Sequence, residues 1–238
     1  MIKQLRASGG IWIEINDSRI LVDPGPGSLV KANKSRPRLN ISSLDAIFVS
    51  HKHIDHSNDV NVMIEAMTDG GFRKKGTLFC PVEAINNPAV VFPYALELVE
   101  NVHILKSGTQ HNVKKLKITV PVRLHHQVET YGFILESDNV PSIGYIPDTC
   151  YFPEIIDAYA GTKIVIINVV FTQPRPDIMH LSLPEALEII SGIKPGKAIL
   201  THFGMSMLKE RIWEKTQNLS KKLSIDIIAA SDGMTLNL

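Results

Sequence analysis

Strand-like runs over 10–15 and 19–22 flank the polar turn Asn16-Asp17-Ser18, a pattern that predicts a β-hairpin. The hairpin runs into Asp23-Pro24-Gly25-Pro26-Gly27, where alternating proline and glycine exclude both helix and ladder. An apolar strand over 46–49 stops at Ser50-His51, and 58–68 carries a helical spread of apolar positions (Val62, Ile64, Met67) that ends at Gly70-Gly71. Strand patterns recur at 77–80, 102–105, 116–124, 131–135, 142–146 and 163–171. Ser182 with Glu185 three residues on forms a capping box that starts a helix to about Ile193. A strand over 196–201, a basic helix over 205–223 and a strand over 225–230 complete the pattern. Strands with interspersed helices predict an α/β protein whose sheets are covered by helices, not a β-sandwich. No repeat, low-complexity tract or linker divides the chain, so one domain over 1–238 is expected.

Composition narrows the function classes. The 238 residues carry 25 Lys and Arg against 24 Asp and Glu, which excludes binding to nucleic acid by overall charge but leaves local basic patches open. Hydrophobic residues at 44% supply a sizeable core. No apolar run approaches the roughly 18 residues of a membrane span; the longest, 164–171, contains Asn168. The first ten residues lack the apolar core of a signal peptide. Two cysteines, Cys80 and Cys150, make no disulfide framework, so a cytoplasmic location is expected.

The candidate chemistry is concentrated in Ser50-His51-Lys52-His53-Ile54-Asp55-His56-Ser57, directly after an apolar strand. Four imidazole and carboxylate donors within six residues suit zinc, iron or manganese. With nine histidines in 238 residues, such a pattern arises by chance on the order of 10⁻³ times per chain. Donors this close cannot share one face of a strand. They fit a loop turning His51 and His53 one way and Asp55 and His56 another, which suits two metals. Three further groups also follow strand patterns: His125-His126, Asp148 and His202. Sites in layered α/β folds gather at one end of the strands, so these groups are expected to converge on the first cluster.

His51-x-His53-x-Asp55-His56, followed in order by His126, Asp148 and His202, resembles the metallo-β-lactamase superfamily over nearly the whole chain. The resemblance implies a four-layer αββα sandwich with a two-metal site. It assigns His51, His53 and His126 to one ion and Asp55, His56 and His202 to the other. Asp148 would bridge them, and Asp23 would orient a ligand histidine from behind. His125 and His126 face opposite ways on a strand. His126 has the spacing to Gly132 found in the branch containing ribonuclease Z and cyclic-nucleotide phosphodiesterases.

Two metals can share a hydroxide at neutral pH and stabilise an oxyanion, which serves esters, thioesters, amides and phosphodiesters alike. Phosphodiesters are favoured by three features. His126 lacks the Gly-His-Ser/Thr context usual in lactamases and glyoxalase II-like thioesterases. His180-Leu181-Ser182-Leu183-Pro184-Glu185 resembles a segment of phosphodiesterases in carbon–phosphorus lyase pathways, where a histidine assists the leaving oxygen. The basic run from Lys31 to Arg38, with Lys34 and Arg36, and the loop residue Arg175 are candidates for binding phosphate. His180 and Asp55 are thus the catalytic candidates. Only 21 residues separate His126 from Asp148, which leaves no room there for the tRNA-clamping arm of typical ribonuclease Z. A small or cyclic phosphodiester is expected over RNA, with two divalent ions, zinc foremost and manganese or iron as alternatives. A homodimer and no membrane association complete the expectation. The competing reading is a carboxylic ester, thioester or lactone hydrolase on the same site.

Overall fold

The computed structural model describes residues 6–8 and 10–238. Residues 1–5 and 9, part of the stretch read for a leader, lie outside the described residues. The chain divides into two compact units: Met1–Lys106 with His111–Leu116, and Ser107–Gln110 with Lys117–Leu238.

The first unit begins with the expected hairpin, β1 (Ile11–Ile15) and β2 (Ser18–Val22). Its turn is the two residues Asn16-Asp17, both at positive φ (45° and 65°), as a tight hairpin requires. There follow α1 (Ser28–Lys34), β3 (Ala46–Phe48), α2 (Ile54–Ser57), α3 (Val60–Met67), β4 (Thr77–Cys80), α4 (Val82–Ile85), α5 (Pro93–Leu98) and β5 (Asn101–Ile104). The sheet order is β1-β2-β3-β4-β5, parallel from β2 onward. Leu21, Ile47 and Leu78 occupy one face of it and pack with Val60, Met63, Ile64 and Met67 of α3. The register Val22–Phe48–Phe79 brings the carboxyl ends of β2, β3 and β4 level. Asp23 and Ser50-His51 therefore leave the sheet from one edge.

Gly25 fits this edge for want of a side chain. A Cβ there would lie 2.0 Å from the Asp55 carbonyl oxygen, so only glycine lets the Pro-Gly turn pass against the chain that carries Asp55.

The chain passes to the second unit through β6 (Gln110–Val113) and β7 (Leu116–Thr119). Then come β8 (Arg123–Leu124), β9 (Thr130–Tyr131), β10 (Phe133–Glu136), β11 (Ile143–Ile146), α6 (Glu154–Ala158), β12 (Ile164–Asn168), α7 (Leu183–Ile193), β13 (Lys197–Thr201), α8 (Met205–Lys209), α9 (Ile212–Leu223) and β14 (Asp226–Ala229). The larger sheet runs β14-β13-β12-β11-β10-β7-β6. Strands β11 to β14 are parallel, while β10 pairs antiparallel with β11 and β7. Val165, Ile167, Ala198 and Leu200 form a core with Ala186, Ile189, Ile190 and Ile193 of α7. The register Ile146–Ile167–Leu200 again levels three carboxyl ends, after which stand Asp148, Asn168 and His202.

Several expected elements prove to be interrupted. The strand over 116–124 splits into β7 and β8, with Pro121, which has no N–H for a ladder, between them. The one over 131–135 breaks at Gly132, where a Cβ would meet the Tyr145 carbonyl oxygen at 2.1 Å. The basic helix over 205–223 is two helices, α8 and α9, separated at Arg211 in a left-handed conformation (φ 52°). Asp55 and His56 lie on a short helix, α2, where the sequence suggested a loop.

Candidate functional site

In the first unit the donors are assembled around a buried carboxylate. Asp23, with positive φ (49°), accepts hydrogen bonds from the Ser50 backbone N–H at 2.7 Å and the Ser50 hydroxyl at 2.7 Å. It also takes Nδ1 of His56 at 2.9 Å. The Ser50 hydroxyl, its proton committed to Asp23, accepts from Nδ1 of His51 at 2.9 Å. His51 therefore packs against His56, ring centroids 4.2 Å apart, and edge-on to His53 at 4.8 Å. His53 occupies the N-cap position of α2, and the Asp55 carboxylate stands 4.0 Å from Nε2 of His56.

The second unit gathers its donors in the same way. His126 lies in the loop between β8 and β9 and is buried, with Nδ1 2.8 Å from the Met179 carbonyl oxygen. A carbonyl can only accept, so His126 carries its proton on Nδ1. Asn168 donates to one oxygen of buried Asp148 at 2.8 Å. The other oxygen faces Nδ1 of His180 at 3.6 Å and Nε2 of His202 at 3.8 Å. His126 and His180 meet edge-on at 4.9 Å. The donor atoms of His126, Asp148 and His180 lie within 4.8 Å of one another. His202 holds its position in a left-handed backbone (φ 60°), which is uncommon away from glycine and frequent at functional sites.

The chemistry of these sets fits a metal. His51, His56 and His126 each spend Nδ1 on an oxygen, which leaves Nε2 as the atom that would face a metal, the arrangement typical of ligating imidazoles held from behind. Carboxylate and imidazole without thiolate suit zinc, manganese or iron.

Other expected residues lie differently. His125 turns away from His126 and stacks on Phe152 at 4.1 Å. Arg175 is exposed, its guanidinium 4.8 Å over the Phe171 ring, and that ring lies edge-on to His180 at 6.3 Å. Lys34 ends α1, and Arg36 turns its guanidinium to the Ser35 carbonyl. The segment between His126 and Asp148 is taken up by β9, β10 and β11. Asn168, Ser50 and the Met179 carbonyl are supporting groups that sequence reasoning did not assign. For Asn168 the signal was present, a lone amide inside an apolar strand.

A family model described as a beta-lactamase superfamily domain matches residues 18–203. An uncharacterized protein of Methanocaldococcus jannaschii is 31% identical over 245 residues, covering all of this chain and 90% of its own. Ribonuclease Z of Borrelia garinii subsp. bavariensis is 22% identical over 299 residues, covering 97% of this chain and 91% of its own. Among solved structures, the metallo-β-lactamase fold protein YhfI of Bacillus subtilis superposes with a TM-score of 0.78 at 20% identity, over 96% of this chain and 90% of that one. A diphosphatase of the PhnP family gives 0.73 at 20% identity, over 98% and 85%. With the fold of these structures, the match over residues 18–203 and a His/Asp donor set suited to metal, the chain belongs to the metallo-β-lactamase superfamily of hydrolases, near its ribonuclease Z branch.

Proposed function

We propose that the chain acts as one hydrolase domain over 1–238 and cleaves phosphodiesters, the substrate being a small or cyclic phosphodiester or an RNA end. His51, His53 and His126 would hold one divalent ion, Asp55, His56 and His202 a second, and Asp148 both. Zinc is the proposed metal, with manganese or iron in its place as alternatives. Such ions supply a hydroxide at neutral pH and positive charge for the phosphoryl oxygens.

The observation that carries the reading is His180, an imidazole set against Asp148 and His126 without being one of the family's ligands. An imidazole with an unperturbed pKa of about 6.5 can give a proton to a departing alkoxide near neutral pH. Asp148 turns toward Nδ1 of His180, at 3.6 Å, the oxygen that also faces His202, so the His180 ring is held beside the proposed metal ligands. Asp23 and the Met179 carbonyl fix the rings of His56 and His126, so that the donors are positioned before substrate arrives. Arg175, braced on Phe171 beside His180, is the proposed contact for a phosphate oxygen. The ribonuclease Z relative supports the phosphodiester class, and the diphosphatase neighbour supports attack at phosphorus more broadly.

Turnover of bis(p-nitrophenyl) phosphate beside a p-nitrophenyl carboxylic ester, with zinc and then manganese, tests the reading. The diester is expected to be the better substrate. Ester turnover alone would assign the carboxylic ester, thioester or lactone chemistry instead.

A further inference from the structure

Outside the His/Asp sets, the first unit carries two segments, 31–43 and 70–76, that contain no Asp or Glu. The first holds Lys31, Lys34, Arg36 and Arg38, and the second holds Arg73, Lys74 and Lys75. In a chain with a net charge of +1 this is a marked local imbalance. The fold joins the two, because the Lys75 ammonium donates to the Ser42 carbonyl. Beside that bond lies an open groove of about 470 Å³, floored by Leu29, Leu39 and Ile41 and rimmed by Asn33, Arg38 and Ser42. The Arg38 guanidinium is aimed along the rim by a 2.8 Å hydrogen bond to the Asn33 side-chain oxygen.

The second segment presents an aromatic ring. Phe72 is 92% exposed, at the tip of a turn set by Gly70, Gly71 and Gly76, all at positive φ. A lone exposed apolar residue is ordinary on a protein surface. A phenyl ring displayed on a glycine-bounded turn, with Lys74 and Lys75 following it beyond Arg73, which pairs with Asp69 at 3.5 Å, and a groove lined by no acid joined to it, is a different surface. It combines the two parts used to hold unpaired nucleotides, cations that track the phosphates and a flat ring on which a base stacks.

We propose that this face of the first unit binds single-stranded nucleic acid, with phosphates along Arg38 and Lys75, one base on Phe72 and another over the apolar floor of the groove. The inference goes beyond the reaction proposed above and does not depend on it, since the surface binds without reacting.

Fluorescence anisotropy of a labelled short oligouridine, titrated with the full chain at increasing salt, tests this. Binding is expected at about 50 mM salt, and Arg38→Ala and Lys75→Ala should each lower the slope of log K against log salt by about 0.7. Phe72→Ala should raise Kd about tenfold while Phe72→Trp keeps it. Diester turnover should be the same in Lys75→Ala, Phe72→Ala and Phe72→Trp, which also shows that they are folded. No binding at low salt, equal binding by Phe72→Ala, or equal binding of a duplex of the same length would overturn the proposal. So would stronger retention on phosphatidylserine vesicles than on the oligonucleotide. Loss of diester turnover in the wild type with binding retained would count against the proposed reaction and leave this site standing.

Discussion

The carboxylate of Asp23 lies 2.9 Å from Nδ1 of His56, both side chains almost wholly buried. Thirty-three residues separate them in sequence, and the level carboxyl ends of β2 and β3 bring them together. The contact orients the ring and enriches the electron density on Nε2, as carboxylates behind ligating histidines do. Asp23→Asn keeps the size and removes the charge. Zinc affinity, measured by chelator competition, is expected to fall roughly 10- to 100-fold. Unchanged affinity would mean that His56 is not a ligand.

Glu185 holds the start of α7, its carboxylate accepting from the Ser182 backbone N–H at 2.7 Å and from the Ser182 hydroxyl. His180 stands two residues before that cap. Glu185→Ala is expected to cost about 1 kcal/mol, a fall of roughly 2–4 °C in Tm. If His180 is placed by this cap, diester kcat falls as well while metal content stays. A stability loss without a kcat change would give the cap a structural role only.

A pair of histidines outside the site gives the first unit an acid sensitivity. His111 lies 4.5 Å from His103, and both rings contact Phe79. Burial, and then the neighbouring His103, lower the His111 pKa from its ordinary 6.5. The folded state therefore resists a proton that the unfolded chain accepts. The contribution is complete above pH 6.5 and is lost as pH falls below it toward the depressed value. Thermal unfolding of the chelator-treated protein between about pH 7.5 and 5 should show this decline, and His111→Gln should flatten it. An equally steep decline in the variant would place the sensitivity elsewhere.

The candidate site was legible because its donors closely follow apolar strands: His202 directly after β13, Asp148 two residues after β11, His51 three residues after β3. Parallel strands end on one edge, so adjacency to strand ends in sequence becomes adjacency in space within each unit. The capping box at Ser182 is likewise local chemistry. What the sequence hid depends on distant partners. The Met179 carbonyl that fixes His126 is a backbone group 53 residues away, without a side-chain signature. The break at Arg211 has no proline or glycine to mark it. At Gly132 the strand is interrupted by the approach of Tyr145 and Tyr159, which no pattern near 132 announces.

The most direct test of the proposed reaction is bis(p-nitrophenyl) phosphate turnover by wild type and His180→Ala, each loaded with zinc and its metal content counted. The expected result is a kcat lower by about 100-fold or more in the variant, with the same metal content as wild type. Equal turnover would contradict the assignment of His180 to the leaving oxygen. Loss of metal from the variant would contradict it too, by making His180 a third donor beside His126 and Asp148.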